Sequence, residues 1–288
     1  MAYKTGGAST LINTTQSNSN SNLMNRTNSM LQRSDHVAYM LQPIVTWVLR
    51  KIKHITGCST HTIGAYQMGL YVYPETIHVT AIGTNPGTLR LISKALEDHP
   101  LVTDCVYVQR NGNRLCVEFT VVGTHFRVYC GHLHTLRMVS YTRSVFLKWP
   151  VCRFAATCLR HLVILFSIAS GLPHHIIDAT TVATLALIHH TAYMSTSSSQ
   201  HLTVLDTPVY IRSFVGFLHQ LRPNRVYTTT LHGQLIVDAP PFRTEALALD
   251  NPCVLHPMCH TRNLLQSALY FRHFQSWISV IHFVWVCS

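Results

Sequence analysis

Residues 63–71 read Ile63-Gly64-Ala65-Tyr66-Gln67-Met68-Gly69-Leu70-Tyr71, and after Val72-Tyr73-Pro74-Glu75 the chain continues Thr76-Ile77-His78-Val79-Thr80-Ala81-Ile82. The first stretch is punctuated by glycine. The second is β-branched and alternates, which predicts a strand near 76–83 beside another near 60–66. Upstream, Val37, Met40, Leu41, Ile44, Val45, Val48 and Leu49 recur at helical spacing and end in the basic run Arg50-Lys51-Ile52-Lys53. Downstream, Asn85-Pro86-Gly87 breaks the chain, and Thr88 is placed to cap a helix running through Asp98. Strands are then expected over 102–109, 114–121 and 125–129, joined by an Asn111-Gly112-Asn113 turn and a turn at Gly123. Helix, strands, helix and strands in that order make an α+β layer.

Beyond residue 132 the pattern turns helical, with helices expected over 133–147, 151–170, 178–195 and 208–221, a short hairpin over 225–238 and a last helix from near Asn263. The expected organisation is therefore a segment over 1–34, an α+β domain over 35–131 and a mostly helical domain over 132–288. Residues 1–34 are rich in Ser, Thr and Asn and carry Lys4, Arg26 and Arg33 but no acid. Such a composition predicts either a disordered tail or an organellar transit segment. The transit reading points to the mitochondrion, with the cytoplasm as the alternative.

Acids are scarce throughout. The 288 residues hold 11 Asp and Glu against 22 Lys and Arg, a net charge of +11 at pH 7 with His neutral. The 11 are Asp35, Glu75, Glu97, Asp98, Asp104, Glu118, Asp178, Asp206, Asp238, Glu245 and Asp250, and no two are separated by a single residue. No D-x-D or D-x-E strand exists to aim two carboxylates from one face at a pair of metal ions. The basic excess is 17 Arg to five Lys. Arg binds phosphate bidentately and stacks on bases, so RNA or a ribonucleoprotein is the expected partner, with protein partners in a larger complex; DNA is not expected. The nine Cys form no C-x-x-C, and no secretory h-region opens the chain, which favours a reducing compartment. The apolar run Trp277–Val286 is about half the ~20 residues a bilayer span needs and includes His282. It is read as a buried helix or strand, and no membrane association is expected.

Taken in order, these marks resemble the noncanonical poly(A) polymerase and terminal uridylyltransferase family of the polymerase-β-like nucleotidyltransferases, over roughly 35–275. Residues 63–71 are similar to the family's hydrophobic-Gly-Ser segment, and Thr76-Ile77-His78-Val79 falls where the family has an Asp-Ile-Asp strand. Leu89–Leu101 resembles the helix after that strand, and His125–Tyr129 the strand bearing the third Asp. Pro150–Leu172, ending Ser170-Gly171-Leu172, is similar to the long helix that ends Lys-x-x-x-Arg-Gly-Leu. Thr180-Thr181-Val182-Ala183 into Leu187-Ile188-His189-His190 resembles the Ser-Ser-Tyr helix, and Leu249-Asp250-Asn251-Pro252 with Asn263-Leu264-Leu265 the segment of the associated domain. The resemblance implies a nucleotidyltransferase-like palm followed by a helical, poly(A) polymerase-associated type of domain.

It also implies where a nucleotide site would lie, and those positions are emptied. Thr76, His78 and Tyr129 stand at the three carboxylate positions. Gly64 is kept, but Ala65 replaces the phosphate-contacting Ser. Ile164 and Ile168 fall on the two triphosphate-reaching lysines, where an apolar pair is expected to pack into a core. Val182 falls on the base-stacking Tyr. The expectation is a protein that keeps the frame and lacks catalysis, with no cofactor, acting as a non-catalytic, RNA-binding subunit of an RNA-processing or ribosome-related complex. An active terminal uridylyl- or adenylyltransferase with its acids elsewhere is one alternative, and a purely structural interaction subunit the other.

Other constellations carry less. Cys253, His256, Cys259 and His260 place four zinc-type ligands in eight residues, against which stands a plain loop before the last helix. His125, Cys130, His132 and His134 cluster similarly. No G-x-S-x-G elbow accompanies Ser59 or Ser140, and no Walker-type or dinucleotide glycine loop exists. The candidate RNA contacts are Arg50, Lys51 and Lys53 at a helix end, Arg110 and Arg114 flanking a turn, and Arg222 and Arg225 around Pro223-Asn224. Individually each reads equally as a solvated face.

Overall fold

A computed structural model describes residues 8–110, 114–172, 177–196, 207–222, 225–229, 235–237, 252–257, 259–265 and 270–286. It divides into two compact units, Gln32–Leu147 and Met1–Leu31 with Lys148–Ser288.

The first unit is built on five strands, β1 (Thr60–Ile63), β2 (Ile77–Ala81), β3 (Val102–Arg110), β4 (Arg114–Val121) and β5 (Thr124–Cys130), in the order β1-β2-β5-β4-β3. Only β2 and β5 run parallel, with Ile77 opposite Phe126 and Val79 opposite Val128; the other neighbours are antiparallel. One sheet face is the core. Ile77, Val79, Ala81, Val117, Phe119, Val121, Phe126 and Val128 point into it, each almost wholly buried. Leu41, Val45, Val48 and Ile52 of helix α1 (Ala8–Thr56) and Leu89, Ile92 and Leu96 of α3 (Pro86–Glu97) complete the same cluster. Both helical sets recur at three- and four-residue spacing, so each forms one apolar stripe. Fully burying each such aliphatic side chain contributes about 1.5–3 kcal/mol.

Local chemistry sets the boundaries. Helix α3 begins two residues earlier than its predicted cap, because Asn85 and not Thr88 is the N-cap. The Asn85 side chain accepts the Thr88 N–H, and the Thr88 hydroxyl answers to the Asn85 N–H. Strand β1 stops at Ile63, and Ala65–Met68 forms a helical turn, α2, between Gly64 and Gly69. Helix α4 (Leu133–Lys148), expected to open the helical domain, belongs almost entirely to the sheet unit. The N-terminal Ser/Thr/Asn-rich stretch, predicted to be disordered or a targeting segment, is helical from Ala8 as the start of α1. Thr27 of this stretch is fully buried beside Cys158, a packing surface that composition does not show.

The second unit packs α5 (Pro150–Ser170), α6 (Ala179–Thr196) and α7 (Thr207–Gln220) with α8 (Phe271–Val286). Residues 181–191 of α6 are buried on every side, which is why that helix shows no amphipathic period. Helix α5 is long and apolar enough to cross a membrane by length and composition, and 67% of its most apolar window is buried inside the protein. A small sheet runs β7 (Leu235–Val237), β6 (Val226–Thr229), β8 (Cys253–His256), β9 (Cys259–Asn263). The predicted loop around 253–260 is thus a strand pair, and the last helix starts at Phe271 and not near Asn263. The Val254 and Leu265 N–H groups both donate to the Asn263 side chain, which ties off the strand where a helix start was expected.

The β4–β5 connection is a two-residue turn with Val122 at φ 48° and Gly123 at φ 73°. Such a turn suits Asn-Gly, and a β-branched residue is strained there. Val122 is 68% exposed, so it gains little packing in return. Val122→Asn is expected to raise the free energy of unfolding by about 1 kcal/mol, read as a higher urea midpoint.

Candidate functional site

The buried face of the first sheet dictates what stands on the other. Alternation places His78 and Thr80 of β2, Arg127 and Tyr129 of β5, and Cys116, Glu118 and Thr120 of β4 opposite the core. At its edge Gly64 turns with φ 72°, and a Cβ there would lie 3.8 Å from His78 Nδ1, so the glycine turn and the β2 face meet. Ala65 opens α2 and offers no hydroxyl. The His78 and Tyr129 rings meet edge to face at 5.7 Å, and Tyr129 and His132 at 5.0 Å. The His132 N–H donates to Thr80 Oγ1 at 3.1 Å, fixing the chain as it leaves β5.

One carboxylate shares this face. Glu118 Oε1 lies 2.9 Å from Arg127 Nε, the two residues being directly opposed in β4 and β5. The contact is one of charge, since Nε does not aim its hydrogen at an acceptor. Burial works against the Arg127 charge, but the bond to Tyr129 and the attraction of Glu118 outweigh it and hold the guanidinium above its ordinary pKa. Burial pushes the Tyr129 phenol up, despite Arg127. The two-residue offsets Cys116/Glu118 and Arg127/Tyr129 put each pair on one face of its own strand, and the β4–β5 register, which the sequence does not display, sets Glu118 opposite Arg127.

Glu75, just before β2, is taken up locally: its carboxylate accepts the Val72 N–H at 3.3 Å, and its carbonyl accepts the Tyr71 hydroxyl. Thr76 precedes the first residue of β2. A two-metal centre of the kind the resemblance implies needs converging carboxylates. On β2, β4 and β5 the described residues of this face supply a single carboxylate, and it is paired with Arg127. Among the described residues no group of three His, Cys, Asp or Glu is placed to hold a metal ion. The Cys253–His260 candidates fall partly outside that description: Cys253 is a buried thiol, and the side chains of His256, Cys259 and His260 lie outside the described residues. His125 instead bonds Thr120, and the Cys130 thiol donates to the Asn85 carbonyl, so these two do not converge with His132 and His134.

In the helical unit Val182 is fully buried, and Ile164 is half-buried. Ile168, expected to join a core, is 64% exposed in the last turn of α5. The buried stripe there is Leu159, Leu162, Val163 and Phe166, and Ile168 falls off that stripe.

The basic candidates lie at three places along the chain. Arg50 and Lys53 are exposed near the C-terminus of α1, with Lys51 half-buried, where Lys53 also complements the helix dipole. Arg110 and Arg114 face each other across the β3–β4 ladder, and their side chains, like residues 111–113, lie outside the described residues. Arg222 and Arg225 are both exposed at one turn, where the Arg222 N–H donates to the Tyr227 hydroxyl.

The architecture is that of the terminal uridylyl transferases, a nucleotidyltransferase fold. The chain is similar to terminal uridylyl transferase 4 from Trypanosoma brucei with bound GTP, at 12% identity over 86% of this chain and 93% of that one, with a TM-score of 0.62. It is likewise similar to Cid1 in complex with its short product ApU, at 9% identity over 90% and 92% and a TM-score of 0.67. A further Cid1 structure, one concerned with its RNA terminal uridylyl transferase activity, matches at 7% identity over 92% and 94% with a TM-score of 0.68. No family model matches the sequence, and no curated protein does.

Histidines 189 and 190 of α6 are buried, and burial holds their pKa values down to about 3 and about 4. The unfolded chain takes up these protons near 6.5, and the folded one does not. Stability is therefore full above that value and declines as pH falls from about 6.5 towards 4, by about 1.4 kcal/mol per pH unit for each proton. Urea midpoints measured across this range should fall on acidification, and His189→Gln should reduce the slope by about one proton.

Proposed function

We propose that this chain is a catalytically inactive nucleotidyltransferase-fold protein that serves as a non-catalytic, RNA-binding subunit of an RNA-processing or ribosome-related complex. The observation that carries the reading is the composition of the β2–β5 face. Where the resemblance implies three carboxylates, the chain has Thr76, His78 and Tyr129, and the one acid on the face, Glu118, is neutralised by Arg127. Nucleotidyl transfer depends on metal-held charge at the triphosphate and the attacking hydroxyl, and His78 and Tyr129 supply neither a carboxylate pair nor its negative charge. RNA contact is supported by the Arg-rich excess and by exposed Arg50, Lys53, Arg222 and Arg225. The acid-free N-terminal segment supports a mitochondrial location.

Likeness of fold to enzymes solved with bound nucleotides favours a second reading, an active terminal uridylyl- or adenylyltransferase. One assay separates the two. Pure protein, an RNA with a free 3′-hydroxyl, each NTP and Mg²⁺ or Mn²⁺ should give no tailing above a protein-free control, and reproducible extension would establish the second reading. Binding of single-stranded RNA should weaken steeply with salt, the logarithm of affinity falling by about 0.7 per phosphate contact for each tenfold rise in salt. A flat salt response would instead indicate a structural subunit held by protein partners.

A further inference from the structure

The helical unit carries a groove over the buried His189. It is open, has a volume of about 510 Å³, and is bordered by α6, α7 and α8, with Tyr193, Arg212, Ser213, Phe217 and His282 along it and His189 at its base. Its floor is aromatic: the His189 ring lies 5.8 Å from Tyr193 and 5.7 Å from Phe217. Its polar groups include Arg212, Ser213 and Gln220 on α7 and His282 on α8. Arg212 and Ser213 are adjacent and exposed on α7, and no carboxylate lines the groove among the described residues.

His189 is the unusual member. It is 3% exposed, its Nε2 lies 3.0 Å from Ser213 Oγ, and its Nδ1 is buried without a hydrogen-bond partner. A buried orphan N–H is rarer than an under-used acceptor, which assigns the proton to Nε2 and makes Ser213 Oγ the acceptor. The Ser213 hydroxyl hydrogen then remains to be given to a ligand. Burial, with His190 beside it, keeps this imidazole neutral down to about 3, so the arrangement is constant across ordinary pH. Polar cost of this kind in a core is otherwise uncompensated. The floor accepts a flat ring, Ser213 donates to a ring heteroatom or sugar hydroxyl, Arg212 pairs with an anion, and the absence of acids admits negative charge. A flat polar ring joined to a phosphate satisfies all four.

We infer that this groove holds one nucleotide of unpaired RNA, its base on the Tyr193, Phe217 and His189 floor and its phosphate at Arg212. The inference rests on the RNA-binding reading above and places a contact in a groove that none of the basic clusters marks. Single-stranded nucleic acid is held by this combination of aromatic floor and basic rim.

The test measures fluorescence anisotropy of the full chain with a short single-stranded RNA at fixed salt. Ser213→Trp fills the groove, Arg212→Glu inverts its charge, and Arg33→Glu makes the same charge change at an exposed site on α1 that is not among the candidate RNA contacts; circular dichroism checks folding. Ser213→Trp and Arg212→Glu are each expected to weaken binding about tenfold, the worth of a lost base stack, and Arg33→Glu by no more than about twofold. Displacement by free AMP or UMP would assign the groove to any nucleotide, and weakened variants without displacement to a nucleotide within a chain. Should Ser213→Trp unfold, the comparison of Arg212→Glu with Arg33→Glu decides. If the wild type binds RNA and the groove variants match it, or Arg212→Glu and Arg33→Glu weaken it equally, the groove assignment falls alone. If the wild type binds no RNA, the proposed function falls with it.

Discussion

The parallel pairing of β2 with β5 is the constraint from which the sheet unit follows. Parallel strands are joined through a crossover, here α3 with the β3–β4 hairpin, and α3 lies with α1 on the core face. Ile77, Val79, Phe126 and Val128 lock the register, because a slip of one residue would turn His78 and Arg127 into an apolar core. Burying either unpaired would cost several kcal/mol. Core packing therefore decides which side chains stand on the opposite face, and that is independent of any use the face has.

With so few acids, their positions become informative. Asp178 accepts the Thr181 N–H at 2.7 Å and caps α6. Glu97 accepts the Ser93 hydroxyl within α3, and Glu75 closes the turn before β2. Glu118 is committed to Arg127. Each of these carboxylates has a local structural partner.

Much of this was legible in the sequence, and the losses have physical causes. The helices 133–147, 151–170, 178–195 and 208–221 lie within a residue or two of their structural bounds, because their apolar runs are long and flanked by Pro, Gly or Asp. Gly64 meets His78 because Ile63, the residue before it, stands opposite His78 in the β1–β2 ladder, a register the sequence does not display. The N-terminal helix was not legible, since its burial at Thr27 comes from a partner more than a hundred residues away in sequence. Strands β8 and β9 were hidden because each is only four or five residues long, too short for a period to show. Ile168 is exposed although apolar, since burial implies an apolar side chain far more reliably than an apolar side chain implies burial. The Glu118–Arg127 contact joins residues nine apart on adjacent strands, and it becomes visible only once the register of the β4–β5 turn is known.

The histidines complete the electrostatic picture. Twenty His beside a net charge of +11 suggest a surface that gains charge on acidification. Burial withdraws His189 and His190 from that response, keeping them neutral down to about 3 and 4. His282, stacked on His219 at 4.9 Å on the α7–α8 seam, leans the same way: burial and then the His219 charge hold its pKa down. Protonating one member of such a pair raises the cost of protonating the other. The helical unit thus keeps its neutral imidazoles where rings and hydroxyls meet, and its permanent positive charge on arginines at the rim. Arginine does not titrate in the physiological range, so attraction for phosphate at Arg212 persists where the imidazoles are uncharged.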